Sequence, residues 1–593
     1  KTEIVEKEIF WTFTNKKKFK FFKLYFKNKE GFRLFSNFFI KAKKYPKFKE
    51  KIELKVFESN IEPLLKFFHD KNIEPSNWIY IPRNKLLKVD NLSYSQINFE
   101  IDYKDIIPIK KELIPPLIIA SFDIEADSSH GDFPLPIKDY KKLSNELVIS
   151  FIEDKRKNVE IKDHNYFKNR IIYSFDKKNE KILFDGKINK VFYKKYNESK
   201  KNNKNLLKKL LNDYKLDNIC REIFFICNRK NKKIIANQKM KKVINIIENV
   251  FNKKNENELE LNKNQLKIKD LLGIIKYYSK QNSMSLIDLT YKILSKEVLV
   301  RFVNNELNSY FPKLKGDKCI QIGTTFWKYG DNKPFYNNII TLKKSSDLEG
   351  IDTYSYEKES DVLLEWVKMI KHIDPDIILG YNIFGFDEKF MYDRAMELFG
   401  DDKYKLNNFL NMGRLKHNTY KNIWSCQGKL NKKKLASSAL GSNYLEYFNI
   451  PGRVQIDLLK VVQGSFTKLD SYKLDNVAEY YISGNILECI NNKTYKVDNI
   501  NELEKGNYIK INFKTGEKYK DGKKIIIKNI NYENSIIELN EEIDKDLISI
   551  KSSWGISKDD VTPQQIFEYQ KGTDEQRGII AKYCIQDCAL VVR

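Results

Sequence analysis

Cysteine is scarce in this sequence. Seven residues are scattered through 593 positions, and neither Cys220 with Cys227 nor Cys584 with Cys588 shows Cys-x-x-Cys spacing. That excludes a zinc ribbon and a disulfide framework, and it favours a reducing intracellular compartment. Histidine is scarcer still: His69, His130, His164, His372 and His417 form no close pair, so no histidine-based metal or general-base centre is expected. Long apolar runs are missing too. No stretch is long and apolar enough to span a bilayer and no secretory signal is visible, which removes a membrane as partner. Negative charge is in deficit, with 80 acids against 107 Lys and Arg and a formal net charge of +27. Such an excess favours a polyanion, nucleic acid before membrane surface. The lysines are spread along the whole chain, however, as an AT-rich coding sequence alone would also leave them. Charge alone decides nothing here.

What is present divides into ordered and biased segments, and the length predicts more than one domain. Residues 1–115 read as a mixed α+β N-terminal domain: "FKFFKLYFKNKEGFRLF" is strand-like, "NIEPLLKFFHD" helical and "NWIYIPRNKL" strand-like again. Pro115 and Pro116 break the chain before a second domain at 116–593. There, periodic segments at 117–150, about 317–485 and about 558–593 alternate with lysine- and asparagine-rich stretches at about 155–300 and 486–556, which read as insertions. The first insertion contains a helical pattern, "QKMKKVINIIENVF"; the second reads as short strands and turns. The core itself is α/β, a mixed sheet flanked by helices. "CIQIGTTFW" and "NIITL" are strands, and "SDVLLEWVKMIKHI" is an amphipathic helix. "DPDIILGYN" is a turn and buried strand, and "DEKFMYDRAMELFG" a helix closed by Gly400. Thr573 and Gln576 form a capping box ahead of the last helix.

The chemistry-bearing residues are acids at the ends of apolar runs. In "LIIASFDIEADSS" the run drives straight into Asp123 and Glu125. Acid-x-acid spacing is weak by itself, since 80 acids in 593 positions give roughly 11 such triplets by chance. Strand periodicity nevertheless puts both carboxylates on one face, where they repel and lose solvation unless a cation sits between them. A divalent metal is one answer; a strand that simply emerges into a solvated acidic loop is the other. In "GYNIFGFDEKF" a third acid, Asp387, stands at a strand-to-helix junction, where it could equally cap the helix. In "AKYCIQDCALVV" Tyr583 and Asp587, at i and i+4, share one helical face. Asp457 in "VQIDLLK" reads as structural, and Asp127, Asp132 and Glu388 as loop or helix-cap residues.

"SFDIE", "YNIFGFD" and "YCIQD" resemble, in order, the three exonuclease motifs of family B DNA polymerases. "GRVQIDLLKVVQGSFTKLDSYKLDNVAEYY" resembles the segment that delta-type members carry between the last two, and "SFDIEADSSHGDFP" and "TPQQIFEYQKGTDEQRGIIAKYCIQDCALVV" are most similar to the delta-type replicative polymerases of large nucleocytoplasmic DNA viruses. The likeness is strong in the core segments, weak in the N-terminal domain and says little about 155–300. The resemblance implies an RNase H-like exonuclease domain that removes 3′-terminal nucleotides with two Mg²⁺ ions, Mn²⁺ being a substitute. On that implication Asp123, Glu125 and Asp587 hold the metal that activates the attacking water, and Asp123 with Asp387 holds the one at the leaving 3′-oxygen. Tyr583 orients the water, while Asn382 and Phe386 shape the pocket for the primer-end nucleotide. The implied partners are DNA, as single-stranded 3′ ends and primer-template, and a processivity factor in the full-length protein. The implied setting is the host nucleus or a cytoplasmic replication site.

Two rivals remain: a stand-alone 3′–5′ exonuclease, and a non-catalytic DNA-binding relic of a polymerase. The chain opens at Lys1 and stops at Arg593 inside an apolar helical pattern, which reads as a piece of a longer protein. "YGDNKPF" lacks the second acid of a polymerase "DTDS" motif, and no "SLYPS"-like motif is present; the family places both after the third exonuclease motif. Palm, fingers and thumb are therefore expected to be absent from these residues. A primer-extension assay is expected to show no dNTP incorporation by the 593-residue chain, and incorporation would overturn that division of labour.

Overall fold

The structure is a computed structural model. It describes residues 2–9, 13–39, 43–44, 51–52, 55–89, 93–95, 97–128, 133–175, 188, 209–227, 296–415, 430–437, 441–465, 468–513, 515–543, 552–559 and 561–593. The chain divides into two compact units, Lys1–Ile114 and Pro115–Arg593.

In the first unit β1 (Thr2–Glu8) and β2 (Lys18–Leu24) form an antiparallel pair. Asn15 and Lys16, both with positive φ, form a tight turn just ahead of β2, closed by the Lys17 N–H on the Thr14 carbonyl at 3.0 Å. The second half of the predicted strand "FKFFKLYFKNKEGFRLF" is instead a helix, α1 (Lys29–Phe39). The Asn28 side chain accepts the Gly31 N–H at 2.8 Å, a local bond that starts a helix and ends a strand. The helix α2 (Pro63–Lys71) begins on a proline and closes on Asn72 in the left-handed region.

The second unit is organised by a six-stranded mixed sheet. Its central strand β3 (Ile118–Ala126) carries the run that ends in Asp123 and Glu125. The chain then leaves for a helical body of α3 (Lys141–Arg156), α4 (Asn165–Phe175), α5 (Tyr214–Cys227) and α6 (Lys296–Tyr310). That body has its own core, from Tyr140 and Leu147 through Phe167 and Leu216 to Leu307 and Leu314. The body thus takes in more of the chain than the compositional bias at 155–300 marks. The predicted helix at 238–251 lies outside the described residues.

On return the chain lays down β4 (Cys319–Lys328), β5 (Tyr336–Leu342), β6 (Asp352–Tyr356), the helix α7 (Glu359–Ile373) and β7 (Ile377–Gly380). Next come α8 (Asp387–Phe399), α9 (Lys403–Leu410), the hairpin of β8 (Leu430–Ser437) and β9 (Gly441–Phe448), β10 (Val454–Asp457), α10 (Leu458–Gly464) and α11 (Leu474–Tyr481). The sheet order is β6-β5-β4-β3-β7-β10, with β4 antiparallel to both neighbours and β3, β7 and β10 mutually parallel. Alternation along β3 sends Ala120, Phe122, Ile124 and Ala126 into the core under α7 and α8, and turns Asp123 and Glu125 to the opposite face. Gly400 does not close α8 as a left-handed residue; its φ is −51° and its ψ −34°, and the backbone runs on in a right-handed turn. The left-handed closure falls on Asp374 after α7, at φ 57°.

After α11 the second biased stretch folds into a closed barrel: β11 (Ser483–Asn491), β12 (Thr494–Val497), β13 (Tyr508–Asn512), β14 (Ile525–Asn531), β15 (Ile536–Leu539) and β16 (Ser553–Ser557). Tyr495, Ile509, Ile527, Leu539 and Trp554 fill it. First and last strands meet in register, Ser483 opposite Gly555 and Asn485 opposite Ser553. Closure removes strand edges, which short strand-and-turn patterns do not announce in sequence. The chain ends with α12 (Pro563–Tyr569) and α13 (Asp574–Val592), each opened by a capping box, Thr562 with Gln565 and Thr573 with Gln576. No described helix is long and apolar enough to cross a membrane.

Trp366 of α7 anchors the sheet: it is 1% exposed, lies 5.0 Å from the Phe122 ring and donates its indole N–H to Thr324 at 3.2 Å. Trp366→Ala is expected to destabilise the second unit by about 3–5 kcal/mol, read as a lower denaturant midpoint at unchanged slope.

Candidate active site

Three parts of the chain deliver carboxylates to one place. The strand β3 brings Asp123 and Glu125. The helix α13 crosses that face of the sheet, and the Cys584 thiol donates to the Asp123 carbonyl at 3.5 Å, with Asp123 Oδ2 at 3.9 Å. The approach needs Gly323 on β4, because a Cβ there would stand 2.8 Å from Cys584 Sγ. One helical turn on, Asp587 faces the same acids, and its charge acts on both Asp123 and Glu125. The helix α8 brings Asp387. It is the first helical residue rather than a plain N-cap, and its carboxylate accepts the Ile124 N–H at 3.4 Å, which ties it to β3.

The second motif is held by a bent backbone. Asn382 sits at φ 61°, and its side chain folds against Gly385, where a Cβ would meet Asn382 Oδ1 at 2.3 Å. Asp457, at the end of β10, accepts the N–H groups of Asn382 at 2.8 Å, Phe384 at 3.1 Å and Leu459 at 3.1 Å. Phe386 stacks edge-on against Phe133 at 5.3 Å and tilts against Phe390 at the same distance; Phe133 is 72% exposed. Glu388 is not a helix cap: it is buried and accepts the Phe448 N–H at 2.6 Å, fastening the hairpin to α8. Asp127 bonds through its backbone N–H to the Lys318 carbonyl, and Asp132 lies outside the described residues.

Burial and mutual repulsion dominate the electrostatics. Burial raises Asp123 well above the ordinary carboxylate range, and Asp387, Glu125 and Asp587 raise it further. Glu125 is pushed up to about 8 by burial and by Asp587, against the pull of Lys558. Burial takes Asp387 to about 7 although its own amide and that of Ile124 favour the ionised form. Asp587 is raised by burial, with Lys558 and Tyr583 opposing.

Lys558 escaped the sequence reading. Its ammonium donates to Asp587 at 2.8 and 3.1 Å and to the Tyr583 hydroxyl at 2.8 Å, and it lies 4.6 Å over the Tyr583 ring. Nothing in "SKDDV" distinguishes it from a solvated lysine in so basic a chain.

The donors suit a hard divalent cation. An oxygen each from Asp123 and Glu125 and the Cys584 sulfur lie within 4.8 Å of one another. The thiol bonds the Asp123 carbonyl, and Cys588, burial and the nearby acids hold it well above its ordinary pKa, so a neutral sulfur leaves the carboxylates as the effective ligands.

The family model for the exonuclease domain of DNA polymerase family B matches residues 54–289 and 302–477, well over half of the chain. The chain belongs to this family. It is 35% identical over 593 residues to the DNA polymerase of Pyramimonas orientalis virus, covering 99% of this chain and 42% of that protein. To the DNA polymerase of Phaeocystis pouchetii virus it is 30% identical, covering 92% of this chain and 51% of that one. The catalytic subunit of DNA polymerase delta from Dictyostelium discoideum is 35% identical over 172 residues, 29% of this chain and 14% of that subunit. The chain thus spans about half or less of the curated viral relatives' length. Exonuclease domains of family B are metal-dependent, in keeping with the carboxylate cluster.

In the metal-free protein the unfolded chain ionises Glu125 near pH 4.5, while the folded chain keeps it protonated to about 8. Between these values the unfolded state binds fewer protons, so this group's contribution to stability falls as pH rises. A divalent cation offsets that loss by binding the ionised form. Thermal scans are therefore expected to show Mg²⁺ raising Tm more at pH 8 than at pH 5, and equal shifts at the two pH values would contradict the assignment.

Proposed function

We propose that this chain is the N-terminal and proofreading part of a DNA-directed DNA polymerase acting in DNA replication, and that residues 116–593 hydrolyse 3′-terminal nucleotides from single-stranded or mismatched DNA. The observation that carries the reading is the meeting of Asp123, Glu125, Asp387 and Asp587, from three distant segments, in one buried acidic pocket. Two Mg²⁺ ions, or Mn²⁺ in their place, supply when bound a nucleophilic hydroxide and relief of charge on the leaving oxygen. Asp123, Glu125 and Asp587 would hold one, and Asp123 with Asp387 the other.

The remaining groups act on water and substrate. The Tyr583 hydroxyl, fixed by the Lys558 ammonium at 2.8 Å, would orient the attacking water through a hydrogen bond. Lys558 also keeps positive charge beside Asp587. Asn382 and Phe386 line the approach for the terminal nucleotide, with the exposed ring of Phe133 extending the stacking surface. A frayed or mismatched end reaches such a site more readily, because less pairing must be broken. A processivity factor is proposed as the partner of the full-length protein.

Asp123→Ala and Asp587→Ala are each expected to lower Mg²⁺-dependent release of the 3′ nucleotide from a mismatched primer by about 10³-fold, ~4 kcal/mol of transition-state stabilisation, with circular dichroism unchanged. Lys558→Met is expected to lower kcat by about 10–100-fold. Undiminished digestion by the Asp123 variant would overturn the exonuclease reading.

A further inference from the structure

The barrel has an unusual charge balance. Residues 483–557 hold twelve lysines and twelve acids, neutral in a chain of net charge +27. Among its described lysines, Lys493, Lys510, Lys518, Lys523 and Lys528 form ion pairs, Lys528 with Glu538 at 2.8 Å. A neutral, ion-paired body is a poor platform for a polyanion. It is instead wired to the exonuclease pocket.

The last barrel strand, β16, ends one residue before Lys558. The Lys558 backbone is gripped on both sides. Its N–H donates to Asp475 Oδ1 of α11 at 3.2 Å, and its carbonyl accepts Lys524 Nζ, beside β14 of the barrel, at 2.6 Å. Asp475 Oδ1 also accepts the Ser557 hydroxyl at 3.0 Å, while Oδ2 is paired at 2.6 Å with Lys510 Nζ on β13. The helix α11 lies tight on β16 because Gly555 has no side chain; a Cβ there would stand 2.6 Å from Glu479 Cγ. From this clamped backbone the Lys558 side chain spans to Tyr583 and Asp587.

We propose that Asp475 is a positioning residue for the exonuclease reaction: braced by Lys510 of the barrel, it fixes the Lys558 backbone so that the ammonium meets Tyr583 and Asp587. The inserted barrel is on this account an anchor for the pocket. The inference rests on the exonuclease reading and adds to it. Lysine has a flexible four-carbon stem, so a released backbone misplaces the charge without removing it. The effect is accordingly smaller than that of deleting Lys558.

The test is a double-mutant cycle on the full 593-residue chain, measuring Mg²⁺-dependent release of a 3′ nucleotide. Asp475→Asn is expected to lower kcat about tenfold with KM for single-stranded DNA within about twofold, and to add nothing in the Lys558→Met background. An equal tenfold loss in both backgrounds would mean that Asp475 acts elsewhere and would overturn the proposal. So would a normal kcat for Asp475→Asn, or for Lys558→Met, when Asp123→Ala is inactive; each leaves the exonuclease reading standing. Digestion by Asp123→Ala would instead sink that reading and this one with it. Should Asp475→Asn fail to fold, Lys510→Met, which leaves Asp475 in place and removes its brace together with a longer contact to Glu479 at 3.3 Å, enters the same cycle with the same expected loss and the same overturning outcomes.

Discussion

Carboxylates gathered away from water repel one another and lose their hydration, and the architecture of the second unit is arranged around that cost. At the end of β3 the acids cannot relax, because the same strand is the centre of the sheet and its alternate residues are core. A protein built only for stability would put a hydrophobic residue at Glu125 or pair it with arginine. Here the one described cation bonded to the cluster is Lys558, and it reaches Asp587 rather than β3. On the proposed reading, that uncompensated cluster is what a divalent cation would stabilise.

Geometry follows from this constraint. Each acid comes from a rigid element, and each element is fastened by a contact made by small or polar groups: Gly323 under Cys584, the Ile124 amide on Asp387, and Asp457 on the backbone before α8. Asp457 and Glu388 belong to the scaffold, satisfying backbone N–H groups that bent or packed segments would otherwise leave without partners. The left-handed Asn382 is one such bend. It lets β7 turn abruptly into α8, so that Asp387 arrives beside β3.

Much of this was legible in the residues. Periodicity of two assigns Asp123 and Glu125 to one face, and the periodic helices α7 and α8 are visible as apolar stripes. The capping box of Thr573 with Gln576 announces α13, the helix that brings Asp587. Other features left no local mark. The helix at Lys29–Phe39 hides in an aromatic-rich run that reads equally as strand, and its start depends on one asparagine side chain. Barrel closure depends on pairing between segments some seventy residues apart, which alternation alone does not specify. Lys558 gains meaning only from groups brought to it through space.

The pairing of Ser483–Asn485 with Ser553–Gly555 has a wider consequence. The chain departs from the host and re-enters it at neighbouring points, as though it made only a tight turn. The barrel therefore places no stretch on the body that carries it, since a domain whose two ends lie together closes a loop at small entropic expense. The span between Tyr481 and Lys558 is thus fixed by the body outside the barrel, and the length of chain within the barrel does not enter it.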